Sequence, residues 1–297
     1  MSEKARVARR TLAETTAASV LRQQKIDGLR VDPIAIATSK GIAVQAKPED
    51  TEGVSGMLIK AGDTFGIIYA TNIPSKGFQR FSVAHELGHY FIEGHPDALL
   101  SQGIHVSRAG FVVADPYEQE ADFFASALLM PERPFRRAID DHAPGLACVE
   151  ALRKACETSL TATAIRYSAL TRDGIAIIAS RGSVIDWCFL SEAMKQARGL
   201  AFLKKGTQLP AGSATYAFNQ QDQNVRSGQS DAATGSLSDW MGSEARYTIN
   251  EEVVGLGQYG RTLTILTCDQ LSVRPEEEPD VDDEEALIES WTPRFRH

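Results

Sequence analysis

The feature that most constrains this chain is a His-Glu-x-x-His motif made by His85, Glu86 and His89. On an α-helix, side chains four residues apart share one face and lie about 6 Å apart, so the two imidazoles can bind one metal ion. Glu86 is one position round the helix, where its carboxylate can act on a water without occupying a coordination position. Apolar neighbours predict a largely buried helix, and Gly88 indicates that another element approaches closely there. The sequence therefore predicts a zinc site.

Two histidines leave such a site one protein ligand short, because a catalytic zinc usually has three. His95 is the first candidate, since it follows His89 by six residues, as in the metzincin motif His-Glu-x-x-His-x-x-Gly-x-x-His. The metzincin glycine allows a sharp turn, but Ile92 stands in its place here and Gly94 comes two residues late. This departure weighs against His95 as the third ligand.

Glu118 is the second candidate, on a helix predicted to begin at Asp115. Glu118 and Asp122 are four residues apart, so one can bind the metal while the other accepts a hydrogen bond from a ligand histidine. Glu120 points away if Glu118 points inward, although a shift of the helix register by one or two residues would exchange them. Glu118 also fits a capping box with Asp115. Spacing alone leaves these alternatives open.

Length and charge suggest two folded domains and an acidic tail. The chain has 297 residues, of which 43% are apolar, enough for a sizeable core in more than one domain. Helical patterns give way to strand patterns after Asp173, so we expect domains at residues 1–172 and 173–274. Residues 275–297 contain a run of acidic residues whose summed charge equals the net charge of the chain, −8. This composition predicts a flexible tail. The near-neutral remainder shows no sign of strong nucleic-acid binding.

Cysteine usage and hydropathy predict a cytoplasmic protein. The four cysteines, Cys148, Cys156, Cys188 and Cys268, are scattered without Cys-x-x-Cys spacing, which is typical of reduced thiols. No apolar run approaches the roughly 18 residues of a membrane span. The basic N-terminus is not followed by an apolar block, so we expect no secretory signal and no membrane partner.

Periodicity and turn residues predict the following elements. Helices are expected over residues 2–26, 33–40, 75–93, 115–130, 145–157 and 161–171. Strands are expected over residues 42–44, 54–60, 64–70, 175–180, 184–190, 247–254 and 262–267. Residues 94–114 are expected to form a loop that wraps the site, and residues 205–245 stay unassigned.

Two separated motifs carry a family resemblance. Ala84-His-Glu-Leu-Gly-His89 is followed about 30 residues later by Glu118-x-x-Ala-Asp-x-Phe-Ala125 and Leu128-Leu-Met-Pro131. Over residues 30–135 the chain resembles the ImmA/IrrE-type zinc metallopeptidases. The resemblance implies Zn²⁺ held by His85, His89 and Glu118, with Glu86 as general base. That family often has Asn at the place of Asp122, and a hydrogen-bonding role suits either residue.

The resemblance also implies a fold and a function. We expect an α+β protein: a helix-rich zincin-like metallopeptidase domain with a small twisted sheet, then a smaller α+β C-terminal domain whose sensory role is an analogy with relatives. The implied activity is a regulatory endopeptidase that cuts a repressor or antitoxin-like protein partner in stress response or mobile-element control. Candidates for the proton donor, by residue type alone, are Tyr69, Tyr90, Tyr117, His95 and His105.

The alternative function is a DNA-binding or protein-binding transcriptional regulator with a non-catalytic zinc site. The helices expected at 145–157 and 161–171 could form a helix-turn-helix. Their few bases are balanced by acids, so we expect them to pack on the metallopeptidase core and do not favour direct nucleic-acid binding. The intact Glu86 also argues against a site without catalysis.

Overall fold

The structure, a computed structural model, describes residues 7–47, 54–108 and 115–272. Its helices are α1 Arg10–Gln23, α2 Pro33–Ser39, α3 Lys76–Phe91, α4 His95–Leu99, α5 Pro116–Leu129, α6 Glu132–Asp140, α7 Leu146–Cys156, α8 Leu160–Leu170, α9 Glu192–Lys195, α10 Ala214–Asn219, α11 Asp222–Arg226 and α12 Leu237–Met241. Its strands are β1 Ala43–Lys47, β2 Val54–Ala61, β3 Thr64–Ala70, β4 Ile104–Arg108, β5 Asp173–Arg181, β6 Val184–Leu190, β7 Ser230–Ser236, β8 Thr248–Gly255 and β9 Thr262–Ser272. The chain is therefore a mixed α+β protein, as predicted. The expected acidic tail, residues 275–297, lies outside the described residues, as do residues 2–6 of the expected first helix.

Side-chain caps begin the helices that the site needs. The Asp32 carboxylate accepts hydrogen bonds from two backbone N–H groups at the start of α2. Ser75 accepts one from the Phe78 N–H at the start of α3, and Asp115 accepts one from the Tyr117 N–H at the start of α5. Each cap satisfies an amide that has no partner within its helix, so these helices begin where the sequence signals predicted.

The first sheet has the strand order β1-β3-β2-β4. β2 and β3 form the predicted hairpin, with Ala61 opposite Thr64, and β1 pairs with β3 in parallel. The predicted loop over 94–114 is wrong in part, because it contains α4 and β4, and β4 pairs with β2 in antiparallel. Ile104 and Val106 are exposed while Ser107 is buried, so β4 is a short alternating strand that was hidden among loop residues.

Helix α3 lies at the centre of the first half, packed against β2, β3 and α5, and α1 packs against α5 and also contacts α3. A Cβ placed on Gly88 of α3 would lie 3.0 Å from the Ala121 Cα atom of α5. The glycine thus lets the two helices approach closely, which confirms the predicted close contact. The consequence is that the motif histidines face the first turns of α5.

The second sheet is antiparallel, with the order β6-β5-β9-β8-β7. One face shares a hydrophobic cluster with α6, α7 and α8, and the other face is covered by the short helices α9 and α12. The helices α7 and α8 were expected on the metallopeptidase core. Their apolar faces instead lie in the cluster of the second sheet, while Glu157 and Arg166 connect them to the first half by ion pairs.

The stretch 205–245, unassigned from sequence, holds α10, α11, β7 and α12. None of these elements exceeds seven residues, so local periodicity is too short to identify them, and packing on the second sheet fixes them. Within the described ranges, no helix has the length and apolar character that crossing a bilayer requires.

Candidate metal centre

Two helices bring three ligand side chains together. His85 and His89 lie one turn apart on α3, and Glu118 lies in the first turn of α5. One ligand atom from each residue lies within 4.8 Å of the others, and all three side chains are buried. The His85 and His89 Nε2 atoms are 3.0 Å apart, and each lies 3.3 Å from a Glu118 carboxylate oxygen. Three buried polar groups from two helices thus converge on one point.

The donor set fits a zinc ion. Zinc binds imidazole nitrogen and carboxylate oxygen at about 2.0–2.1 Å in a tetrahedron, whose edges are then roughly 3.3 Å long. The separations of 3.0, 3.3 and 3.3 Å, of which the last two reach different oxygens of the Glu118 carboxylate, are close to that edge. Two histidines and one glutamate also leave a fourth position for water or substrate, as catalytic zinc sites require.

A second carboxylate orients the first ligand. The Nδ1 atom of His85 lies 2.9 Å from Oδ1 of Asp122, one turn along α5 from Glu118. The hydrogen bond places a ring proton on Nδ1, so that Nε2 is the nitrogen that would bind a metal ion at the triad. Asp122 therefore lies where the sequence predicted a hydrogen-bonding partner for a ligand histidine.

The charge state of the site favours a cation. Burial lowers the pKa of His85, but hydrogen bonds to Asp122 and Glu118 outweigh it and raise that pKa to about 10. Burial lowers the pKa of His89 to about 3. Burial alone would raise the pKa of Glu118, yet hydrogen bonds from His105, His85 and His89 hold it far below its usual range. The site therefore keeps Glu118 ionised and His89 neutral, as metal ligands must be. Without a metal ion, His85 carries the positive charge between the carboxylates of Asp122 and Glu118, and a bound cation would replace its Nε2 proton.

Glu86 is fully buried beside the triad, and neither of its carboxylate oxygens has a hydrogen-bond partner among the described residues. It lies against β2, where a Cβ on Gly56 would be 2.5 Å from Glu86 Oε1. Burial raises the pKa of Glu86 to about 7, opposed by the charge of His85 and by the nearby hydroxyl of Ser107. That hydroxyl is also buried and does not reach hydrogen-bonding geometry. A buried carboxylate without partners is costly, so the position points to a functional role.

His105 is the site residue that sequence reasoning identified only by type. Its Nε2 atom lies 2.8 Å from Glu118 Oε1, and its ring centroid is 4.5 Å from that of His89. The alternation of exposed Ile104 and Val106 with inward His105 and Ser107 is the signal that would have placed it on this face of β4.

The rival third ligands lie elsewhere. The Nδ1 atom of His95 lies 3.1 Å from Nδ1 of His89, the nitrogen that faces away from the triad. Glu120 lies 2.9 Å from His95 Nε2, on the opposite side of that ring from His89. Among the proton-donor candidates, the Tyr117 ring packs on His95, and the Tyr90 ring packs on Phe65. Tyr69 packs in the core of the first half.

A groove of about 1250 Å³ runs from the triad to the second half of the chain. His85, Glu118 and Asp122 line one end, and Trp187 and Arg261 line the other. The groove passes between the start of α3 and the turn that joins α7 to α8. Its volume exceeds the roughly 300–1,000 Å³ of small-molecule pockets, and its walls come from both halves of the chain.

Comparison with known proteins finds a similar fold and a matching domain model. A solved structure named "Mycobacterium tuberculosis transcriptional regulator" is similar over 88% of this chain and 77% of that chain, with 15% identity and a TM-score of 0.54, a likeness of fold. A search of curated proteins found no match. A peptidase family model described as "IrrE N-terminal-like domain" matches residues 37–168, which span α3, α5 and all three residues of the triad. Residues 37–168 therefore match an IrrE N-terminal-like domain, which supports the resemblance to the ImmA/IrrE-type family that the two sequence motifs predicted.

Proposed function

We propose that the protein is a zinc-dependent regulatory endopeptidase that hydrolyses a peptide bond in a protein partner. The observation that carries this proposal is Glu86, a fully buried carboxylate that has no hydrogen-bond partner among the described residues and lies next to three convergent ligands. A site kept only for structure would gain nothing from that group, because an unpaired buried carboxylate costs several kcal/mol. The proposal includes a zincin-like domain over residues 1–172 and a C-terminal domain over 173–274.

The chain's own residues divide the work of hydrolysis. His85, His89 and Glu118 would hold Zn²⁺, and the ion would supply a Lewis acid that polarises the peptide carbonyl and lowers the pKa of water. Glu86 accepts a proton from the attacking water as its oxygen bonds to the carbonyl carbon. The carboxyl then gives that proton to the departing amine as the C–N bond breaks. His105, on the strand beside the triad, donates to Glu118 Oε1 and holds that ligand carboxylate in place.

The groove supports a polypeptide substrate. It extends well beyond the triad and takes its walls from both halves, so a chain segment lying in it would contact the second sheet as well as the metal site. A repressor or antitoxin-like partner, cleaved in the cytoplasm during stress response or mobile-element control, is the substrate class that the family resemblance implies. We propose that class for this chain.

The competing proposal is a DNA-binding or protein-binding regulator with a non-catalytic zinc site. The similar structure that is named a transcriptional regulator favours it. Against it, Arg166 of α8 is buried and donates to the Met130 carbonyl and to Glu14. On α7, Arg153 is paired with Glu150. These bases are engaged within the fold, which leaves little positive charge for phosphates.

Substitution of Glu86 separates the two functions. Glu86→Gln removes the proton acceptor and leaves the triad intact, so zinc should be retained while cleavage slows at least about 100-fold. The zinc-loaded protein is incubated with the repressors encoded beside its gene, and new N-termini are mapped by mass spectrometry. Glu93→Gln, the same change at an exposed position just after α3, is the matched control and should cleave normally. A Glu86→Gln protein that holds zinc and matches the wild type in every phenotype would establish the regulator instead.

A further inference from the structure

His95 is a buried side chain that the catalytic proposal does not use. It is 0% exposed and lies at the start of α4, where the left-handed Gly94 turns the chain back towards α3. Its Nδ1 atom is 3.1 Å from His89 Nδ1, and its Nε2 atom is 2.9 Å from Glu120 Oε2. Both ring nitrogens are thus engaged away from the triad, and His95 contacts a ligand without being one.

The direction of these hydrogen bonds follows from the ligand role of His89. An imidazole that binds a metal through Nε2 carries its proton on Nδ1. His89 therefore donates to Nδ1 of His95, which must accept. The proton of a neutral His95 is then on Nε2, where it donates to Glu120. Each ring has one tautomer that satisfies every contact, and that tautomer leaves the His89 lone pair facing the triad.

The carboxylate at the end of this series is anchored by the N-terminal segment. Glu120 is 0% exposed, so its charge requires strong partners. Arg9 donates to Oε1 through its backbone N–H at 3.0 Å and to Oε2 through its guanidinium at 2.8 Å. Arg9 is the residue that precedes α1, so hydrogen bonds from its backbone and its side chain fix both the start of that helix and the carboxylate.

We propose that His95, Glu120 and Arg9 form a positioning chain that orients His89 as a metal ligand. The start of α1 thereby becomes part of the metal centre, 111 residues before the glutamate that it holds. The other ligand, His85, is oriented directly by the partly exposed Asp122, whereas His89 reaches its carboxylate through a second imidazole. The proposal rests on the metal site of the proposed function and not on peptide hydrolysis.

The test is the zinc affinity of the full-length chain, measured by competition with a chromogenic chelator. Loss of a group that orients a metal ligand typically weakens binding 10- to 100-fold. We expect that loss for His95→Phe, which fills the space without an acceptor nitrogen. His95→Asn keeps an acceptor near the Nδ1 position and should recover part of the affinity. Equal affinity in His95→Phe and the wild type would overturn the proposal, as would a loss as complete as that of His89→Ala, since His95 would then be a ligand.

Arg9 provides the more remote test. Arg9→Met removes the guanidinium and should weaken zinc binding several-fold. The matched control is Arg10→Met, because Arg10 is the next base along and pairs with Glu14 within α1. In the His95→Phe background Arg9→Met should have little further effect, because the chain is already broken. An equal loss in both backgrounds would refute a connected chain.

A melting curve of the metal-free protein separates positioning from simple folding. If these residues only stabilise the fold, their variants lower the melting temperature and leave zinc affinity unchanged, which overturns the proposal. Failure of the peptidase function has a different signature. In that case Glu86→Gln behaves as the wild type, while the order of zinc affinities among the His95 and Arg9 variants still holds.

Discussion

Adding one methyl group at Gly88 should weaken the metal centre although it favours the helix. Alanine is better than glycine in a helix by up to about 1 kcal/mol. The new Cβ would, however, lie 3.0 Å from the Ala121 Cα atom, whereas carbon atoms prefer about 3.5–4.0 Å. Helix α5 must therefore move by roughly 0.5–1 Å. Overpacking of this kind costs about 1–3 kcal/mol, so we expect Gly88→Ala to lower the unfolding free energy by about 1–2 kcal/mol.

The same displacement moves Glu118, three residues before Ala121 on α5. Metal sites tolerate ligand shifts of only about 0.2 Å, so zinc affinity should fall roughly tenfold or more. Chelator competition and chemical denaturation measure the two effects. Gly28→Ala, which adds a methyl group where no atom lies within 4 Å, is the control. A Gly88→Ala protein that is more stable and binds zinc as tightly as the wild type would show that this contact does not set the ligand geometry.

Three further outcomes are expected. Gly56→Ala places a Cβ atom 2.5 Å from Glu86 Oε1 and should displace that carboxylate by about 1 Å. Cleavage should then slow roughly 100-fold while zinc stays bound. Normal cleavage would contradict the role of Glu86 as general base. Trp187→Ala removes part of the groove wall and should raise KM with kcat unchanged. The control is Phe202→Ala, which should leave KM unchanged, because Phe202 is exposed and is not among the residues that line the groove. Equal KM values in the two variants would show that the second sheet does not contribute to substrate binding. Burial raises the pKa of Cys156 to about 12, and the unfolded thiol ionises near 8.5, so the unfolded chain releases its proton first as pH rises. The unfolding free energy should therefore fall above about pH 8.5, less steeply in Cys156→Ala, and an unchanged pH profile in that variant would refute the burial effect.

Much of the first half could be predicted because its signals are local. Capping residues begin α2, α3 and α5, and the hairpin follows from its turn. The motif histidines share a face by helical geometry alone. β4 escaped prediction because its alternation spans only five residues and places the apolar side chains of Ile104 and Val106 outward, and pairing with β2 fixes that strand.

The third ligand required the tertiary fold. Spacing along the chain offers both Glu118 and His95 as the third ligand. The close approach of α5 to α3 at Gly88 brings Glu118 to the two motif histidines. The partners of His95 were beyond any local pattern, because Glu120 is 25 residues away and Arg9 binds that glutamate from 111 residues away. Contacts at such separations are encoded in packing rather than in spacing.

The distance between Arg9 and Glu120 along the chain has a consequence for synthesis on the ribosome. Residues are added at about 5–20 per second, so the 111-residue separation corresponds to a delay of roughly 6–22 s between them. During that time the apolar face of α1, which includes Val20 and Leu21, has no α5 to cover it. That apolar face stays uncovered until α5 emerges, and Glu118, the third residue of the triad, is available only after that point.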